Sequence, residues 1–140
     1  MTPQQKSIVQ GTWRQVEPIA DQAARLFYGR LFELDPDLRK LFAGVDMATQ
    51  RQKLLLALSG VVGALDRIES VLPQLETLGR RHAGYGVTDR HYETVGSALL
   101  WTLEQGLGPA WTADAAAAWT AAYGLVAGAM QGPAAARLSA

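Results

Sequence analysis

The 140-residue sequence predicts an all-α fold, on three observations. Apolar residues recur along almost the whole chain at the three- and four-residue intervals of a helix. No segment alternates apolar and polar residues as a half-buried strand does. Proline, glycine and short polar residues interrupt the pattern at intervals that fit about seven helices with short connections.

The first half of the chain contains four of the predicted helices. Thr2 and Gln5 form a T-x-x-Q start signal, in which each side chain can accept a hydrogen bond from the other residue's backbone N–H. Proline suits a first helical turn and aspartate suits the position before it. We therefore expect helices to begin at Thr2, Pro18, Asp35 and Asp46, with the third ending near Phe42 and the fourth, whose apolar stripe is Leu54, Ala57, Leu58, Val61 and Leu65, running to about Leu65.

The second half predicts three more helices. One runs roughly from Val71 to Ala83 and is stopped by Gly84 and Gly86. The next is capped by Thr88 or Asp89, and Gly96 inside it predicts that a neighbouring group approaches the backbone closely. Gly106, Gly108 and Pro109 end this helix, and Thr112 caps the last one, with Trp119, Tyr123, Val126 and Met130 at helical spacing.

Composition limits the classes of function. The length fits one domain, residues 1–140. Lys and Arg number 13 and Asp and Glu number 13, so no field of one sign favours nucleic acid or an anionic membrane. Without cysteine there is no disulfide, thiolate metal site or C-x-x-C-H haem attachment. Phosphate-binding glycine loops and the G-x-S-x-G nucleophile turn are also absent from the sequence, which disfavours nucleotide and hydrolase chemistry.

Two stretches bear on location. The N-terminus lacks the pattern of a signal peptide. Residues 115–136 carry no charge and are long enough to cross a bilayer, but consist of Ala, Gly, Thr and Gln with Pro133 rather than of strongly inserting residues. We expect a helix buried in a soluble core, no membrane contact and a cytoplasmic protein.

His82 is the most informative polar residue. In the stretch QLETLGRRHAGYG it continues the apolar stripe of Leu75, Leu78 and Gly79. A core histidine bonded to a backbone carbonyl is the commoner explanation for such a position. A lone histidine cannot build a zinc site, but it can hold haem, because the porphyrin brings four nitrogens of its own. The residues alone leave both explanations open, and they predict only a cap role or exposure for His91.

Tyr28 and Gln50 form a second pair of candidates. Each lies on an otherwise apolar helical face and needs a hydrogen-bond partner if it is buried. They could satisfy backbone groups at the edge of the core, or they could be two donors aimed into a cavity. In the second case Leu54, one turn after Gln50, would be the apolar wall beside them.

The order of five of these residues resembles a known family. Tyr28, Phe42, Gln50, His82 and Tyr92 follow one another as in single-domain bacterial globins related to the haem domain of flavohaemoglobins. The likeness is carried by LFYGRLFELDPDLRKLF (26–42), QRQKLLLAL (50–58) and RRHAGYGVTDRHYETVGSALLWTL (80–103), and more weakly by WTAAYGLVAGAM (119–130). It extends over nearly the whole chain.

The resemblance implies a globin fold of about seven helices around a b-type haem. His82 would then be the proximal iron ligand, and Tyr28 and Gln50 would be the distal residues that stabilise a bound ligand. Phe42 would pack on the haem face and Leu54 over the iron. The implied haem pocket comprises Phe27, Phe42, Lys53, Leu54, Leu78, Arg81, Val87, Tyr92 and Val95.

One feature departs from the flavohaemoglobins. There, a proximal tyrosine, matched by Tyr92, works with a glutamate on the last helix, but the glutamate position falls on Ala134 here and no acidic residue follows Asp114. We therefore expect His82 Nδ1 to donate to a backbone carbonyl, that of Leu78, and to push less electron density onto iron than a carboxylate partner would allow. The stripe of Leu75, Leu78 and Gly79 would form the floor beneath the porphyrin.

The resemblance implies binding of O2, and of NO and CO. Tyr28 and Gln50 would stabilise the charge on bound O2, which predicts slow release. Reversible O2 binding, storage or delivery is the first hypothesis. The alternative is an NO dioxygenase, in which Tyr28 and Gln50 become catalytic and an external reductase supplies electrons. Haem-based sensing would require an output domain, and a haem-free helical bundle is the remaining alternative.

Overall fold

The computed structural model describes the backbone of residues 1–139 and the side chains of residues 1–132. Six α-helices make up this part of the chain, and no strand occurs in it. They are α1 (Pro3–Val16), α2 (Ala20–Leu34), α3 (Met47–Gly63), α4 (Leu72–Gly84), α5 (Asp89–Leu107) and α6 (Ala113–Ser139). Short 3-10 helices join them at Glu17–Ile19, Pro36–Phe42, Leu65–Ser70 and Gly108–Ala110. The predicted all-α class is confirmed.

The predicted start signals at Thr2 and Thr112 act as hydrogen-bonded caps, whereas Asp46 precedes α3 without a side-chain cap. Thr2 Oγ1 accepts from the Gln5 backbone N–H at 3.1 Å, and Gln5 Oε1 accepts from the Thr2 N–H at 3.0 Å. Thr112 Oγ1 accepts from the Ala115 N–H at 3.1 Å at the start of α6. These side chains satisfy backbone donors that the first turn of a helix leaves without a partner.

Several predicted boundaries differ from the structure. The predicted start at Pro18 lies in a 3-10 helix, and α2 begins at Ala20. The third predicted helix is a 3-10 helix, Pro36–Phe42, which is typical of a short connection. α3 ends at Gly63, and Leu65 is buried in the 3-10 helix that follows. Gly84 is the last residue of α4, whereas Gly86 adopts the expected left-handed conformation, with φ of 94°.

The inward face of α3 also differs from the prediction. Ala57 is exposed, and Val62 is the residue of this helix that is fully buried. The segment KLLLALSGVVGAL is apolar on most sides, so its sequence does not fix which side turns inward.

Two glycines allow helices to approach closely. A Cβ on Gly96 of α5 would lie 2.7 Å from the Tyr123 ring of α6, which confirms the predicted close approach. A Cβ on Gly79 of α4 would overlap the backbone carbonyl of Met130. Both glycines therefore hold α6 tightly against its neighbours.

The helices α3 and α4 pack against different neighbouring helices. α3 packs on α1 and α2, whereas α4 packs on α6, and among the described residues these two helices share no extensive contact. α2 packs on α5, and α1 packs on α6. Within the same residues, no helix combines the length and the apolar character that crossing a bilayer requires.

Candidate functional site

Tyr28 and Gln50 are brought together across the contact between α2 and α3. Tyr28 follows Ala24 by one turn on the buried face of α2, and Gln50 lies in the first turns of α3. Gln50 Nε2 donates a hydrogen bond to the Tyr28 hydroxyl oxygen over 3.3 Å. Because that oxygen is the acceptor, the hydroxyl proton of Tyr28 remains available for another acceptor.

Phenylalanine rings surround the Tyr28 ring. Phe27 and Phe42 meet it edge-on, with ring centroids 5.0 and 5.6 Å away. Phe32 lies 6.2 Å from Tyr28 and 5.5 Å from Phe42, and the Arg39 guanidinium covers its outer face at 4.8 Å. Sequence analysis missed Phe32, although it lies one helical turn after Tyr28. The rings fix the tyrosine in one orientation.

The surroundings of Tyr28 keep its hydroxyl protonated. Burial raises the pKa of Tyr28, while the hydrogen bond from Gln50 and the charge of Arg51 act in the opposite direction without cancelling the rise. Desolvation disfavours the charged phenolate and therefore dominates here. At neutral pH this hydroxyl is a hydrogen-bond donor.

His82 is oriented by its own helix. Its Nδ1 lies 2.8 Å from the carbonyl oxygen of Leu78, one turn earlier in α4, as the sequence predicted. A carbonyl can only accept, so Nδ1 carries the proton and Nε2 presents its lone pair. In the described part of the chain, Nε2 makes no hydrogen bond. The ring is half-buried and available as a ligand through Nε2.

The residues of the apolar stripe that leads to His82 differ in burial. Leu75 and Gly79 are buried, and Gly79 abuts the α6 backbone at Met130. Leu78 and His82 are only half-buried. The prediction that Gly79 forms part of the floor beneath a porphyrin is therefore wrong, because the α6 backbone at Met130 already covers Gly79.

The turn after α4 is stabilised by backbone groups. The Val87 N–H donates to the His82 carbonyl over 3.0 Å. At the start of α5, His91 Nδ1 accepts from the Thr88 N–H over 3.0 Å, which confirms the predicted cap role. The Tyr123 hydroxyl donates to the Tyr92 carbonyl, and burial raises the pKa of Tyr123. Ala134 lies outside the residues whose side chains are described.

The other predicted pocket residues fall into two groups. Leu54, Val87, Tyr92 and Val95 are half-buried, as a wall residue of an open cleft would be. Lys53 and Arg81 are exposed and could meet a bound group only at its rim.

The donor set around His82 fits a macrocycle better than a bare metal ion. Within the described residues, no three His, Cys, Asp or Glu side chains converge to hold a metal. A porphyrin needs only one axial nitrogen from the protein. His82 Nε2 could supply such a nitrogen, because it is the ring nitrogen that is not hydrogen-bonded to the Leu78 carbonyl.

Arg51 is a residue of this site that sequence analysis missed. Its side chain is 19% exposed, and its Nε lies 3.7 Å from Asp21 Oδ1 on α2. The same Nε is buried without a hydrogen-bond partner. Two features of the sequence could have indicated Arg51. It directly follows Gln50, and an acidic residue, Asp21, lies two helical turns before Tyr28.

The chain is similar in sequence to several known proteins. The chain is 29% identical over 143 aligned positions to a neuroglobin of Chaenocephalus aceratus, covering 93% of this chain and 90% of that protein. It is 32% identical to a flavohemoprotein of Bacillus subtilis over 76% of this chain. The aligned part covers only 27% of that longer protein.

The fold also matches a solved structure. A hexacoordinated heme protein from an anhydrobiotic tardigrade superposes with a TM-score of 0.84 and 17% identity, over 93% of this chain and 92% of that one. The family model described as Globin matches residues 25–130, which include Tyr28, Gln50 and His82. The chain therefore belongs to the globin family.

Proposed function

We propose that this chain is a cytoplasmic globin of the bacterial type, and that it binds haem b between α3 and α4. His82 Nε2 would be the axial ligand. The observation that carries the proposal is the hydrogen bond from His82 Nδ1 to the Leu78 carbonyl, because it fixes the tautomer that leaves Nε2 unprotonated. Haem iron, when bound, supplies reversible coordination of O2, NO or CO.

Of the two distal residues, Tyr28 would contact the ligand directly and Gln50 would act through Tyr28. Gln50 donates to the Tyr28 oxygen, which polarises the hydroxyl, and Tyr28 donates its own proton to a ligand. Tyr28 is thus the direct donor and Gln50 its support. The phenylalanines around Tyr28 exclude water and strengthen this hydrogen bond. A ligand that gains negative charge is held longest, which favours reversible O2 binding, storage or delivery.

Dissociation of O2 tests the proposal. Purified protein should show a Soret band that shifts on reduction and on addition of CO. In stopped flow, Tyr28→Phe should release O2 about 10- to 100-fold faster, the size of one lost charge-assisted hydrogen bond. Gln50→Leu should have a smaller effect, about 3- to 10-fold, because it removes only the support.

Tyr85→Phe is the matched control, since Tyr85 is 68% exposed. It removes the same hydroxyl without touching the distal pair and should leave O2 release unchanged. Unchanged rates in both Tyr28→Phe and Gln50→Leu would refute the distal proposal.

A second candidate function is NO dioxygenase activity with an external reductase. The likeness to a flavohemoprotein favours it. In that reaction O2 and NO combine to nitrate and the iron is left ferric, so each cycle requires one electron from a reductase. The carbonyl partner of His82 supplies less push than a carboxylate, and reversible binding is therefore the first choice. Sustained nitrate formation with a reductase present would reverse that choice.

A further inference from the structure

Arg51 is a largely buried cation next to Gln50, and the proposed function does not use it. Its side chain is 19% exposed, and its Nε has no hydrogen-bond partner among the described residues. A buried donor without an acceptor costs free energy and calls for an explanation. Arg51 follows Gln50 directly, which places it at the same contact between α2 and α3.

The charge of Arg51 is only partly compensated. Its ion-pair partner, Asp21, is 67% exposed, and the two groups stand 3.7 Å apart. Asp21 Oδ2 also accepts a 3.0 Å hydrogen bond from Arg25, which is 66% exposed. Asp21 is thus shared between a buried and an exposed arginine, and water screens its side of the pair.

The field of Arg51 reaches the distal hydroxyl. Gln50 bonds to the Tyr28 hydroxyl, and the next residue, Arg51, pairs with Asp21 on the same helix α2, so both side chains cross the same contact between α2 and α3. The charge of Arg51 acts on the pKa of Tyr28 in the direction that favours the phenolate. A positive charge that favours a negative oxygen there also favours a negative ligand bonded to it.

We propose that Arg51 is a positioning residue that holds a fixed positive charge behind Tyr28 and makes the distal pocket select small monovalent anions over neutral ligands. The inference rests on the proposed haem site. Azide is the probe of the anionic class for the ferric protein, and CO is the neutral probe for the ferrous protein.

The two partners of the ion pair give opposite expectations. Arg51→Gln removes the cation and should weaken azide binding about 3- to 10-fold, a Coulomb effect at a partly buried site. Asp21→Asn leaves the cation less compensated and should strengthen azide binding about twofold, a smaller change because Asp21 is exposed. Both variants break the ion pair between Arg51 and Asp21. If Arg51 had only a structural role, both variants should therefore change azide affinity in the same direction.

Arg25→Gln is the matched control. It removes one positive charge and the other ion pair of Asp21, but at an exposed position. It should leave azide affinity within about 1.5-fold, because water screens an exposed charge. Arg51→Lys keeps the charge and should retain most of the azide affinity even if Arg51→Gln folds poorly.

The outcomes separate the two proposals. A shift of azide affinity in the same direction in Arg51→Gln and Asp21→Asn, or equal losses for azide and CO in Arg51→Gln, overturns the selectivity role. Normal haem and CO binding with unchanged azide affinity in Arg51→Gln also overturns it and leaves the haem site standing. Wild-type protein without a Soret band overturns both.

Discussion

The proposed distal side, around Tyr28, and the proposed proximal side, around His82, are stabilised by different kinds of contact. On the distal side, side chains contact side chains: Gln50 bonds to Tyr28, and Phe27 and Phe42 pack on the same ring. On the proximal side, side chains bond to the main chain: His82 to the Leu78 carbonyl and Tyr123 to the Tyr92 carbonyl.

The difference determines which changes each side tolerates. A single substitution can remove a distal donor, because each donor is one side chain. The acceptor for His82 is a backbone group of its own helix, and no substitution at Leu78 deletes it. If the proposed site is correct, ligand affinity would be tunable through the Tyr28 and Gln50 side chains, whereas the orientation of His82 depends on how α4 is placed.

The largest effect is expected from His82→Ala. Losing a residue that only supports a metal ligand weakens metal affinity by up to about 100-fold. Losing the proposed axial ligand itself should therefore weaken haem binding by more than about 100-fold. Titration of apoprotein with haem, followed at the Soret band, measures the change, and added imidazole should restore part of the spectrum.

His91→Ala is the matched control for this histidine. It removes only the acceptor for the Thr88 N–H at the start of α5, so it should leave the Soret band unchanged and cost about 1 kcal/mol of unfolding free energy. An unchanged spectrum in His82→Ala would eliminate His82 as the ligand.

Gly79→Ala should change the placement of α4. Its methyl group would overlap the Met130 backbone, which can relax only by moving a helix, so we expect a loss of about 1–3 kcal/mol in unfolding free energy. Gly60→Ala is the control, since nothing lies within 4 Å of a Cβ there, and it should be neutral or stabilising by up to about 1 kcal/mol. Urea titrations compare the two, and equal stability would contradict the tight α4 to α6 contact.

Tyr123→Phe should have a moderate effect that depends on pH. Loss of the hydrogen bond to the Tyr92 carbonyl should cost about 1 kcal/mol at neutral pH. Burial raises the pKa of Tyr123 above its ordinary value of 10.0, so the unfolded chain loses this proton first. The contribution is complete below pH 10.0 and declines as pH rises further. Above that pH, wild-type stability should fall more steeply than that of Tyr123→Phe, and parallel curves would contradict the assignment.

The smallest effect is expected from Tyr92→Phe. The carbonyl of Tyr92 is used by Tyr123, whereas its hydroxyl makes no hydrogen bond among the described residues. The substitution should change the unfolding free energy by less than about 0.5 kcal/mol and leave the iron–histidine stretching frequency in resonance Raman spectra unchanged. A shifted frequency would show that the proximal side relies on this side chain after all.

Local signals predicted most of the helices and the hydrogen bond that orients His82. The caps at Thr2 and Thr112 and the bond from His82 to Leu78 depend on residues within one turn, which a single sequence displays. Spacing along α2 and α3 likewise placed Tyr28 and Gln50 on inward faces.

Long-range contacts could not be predicted in the same way. The coverage of Gly79 by Met130 joins residues on two helices, and periodicity alone cannot say which neighbour covers a stripe. The ion pair of Arg51 with Asp21 also crosses between helices. In α3, the apolar run around Ala57 offered several equivalent faces, and only packing against α1 and α2 selects one of them.

The contact between Thr12 and Trp119 has a consequence for synthesis on the ribosome. Trp119 Nε1 donates to the Thr12 hydroxyl over 2.8 Å, and that hydroxyl donates to the Ile8 carbonyl over 2.7 Å, so α1 is secured by a residue far along the chain. A nascent chain reaches this partner only when α6 has left the exit tunnel. The first helix to be made can therefore complete its packing only after the last helix is available.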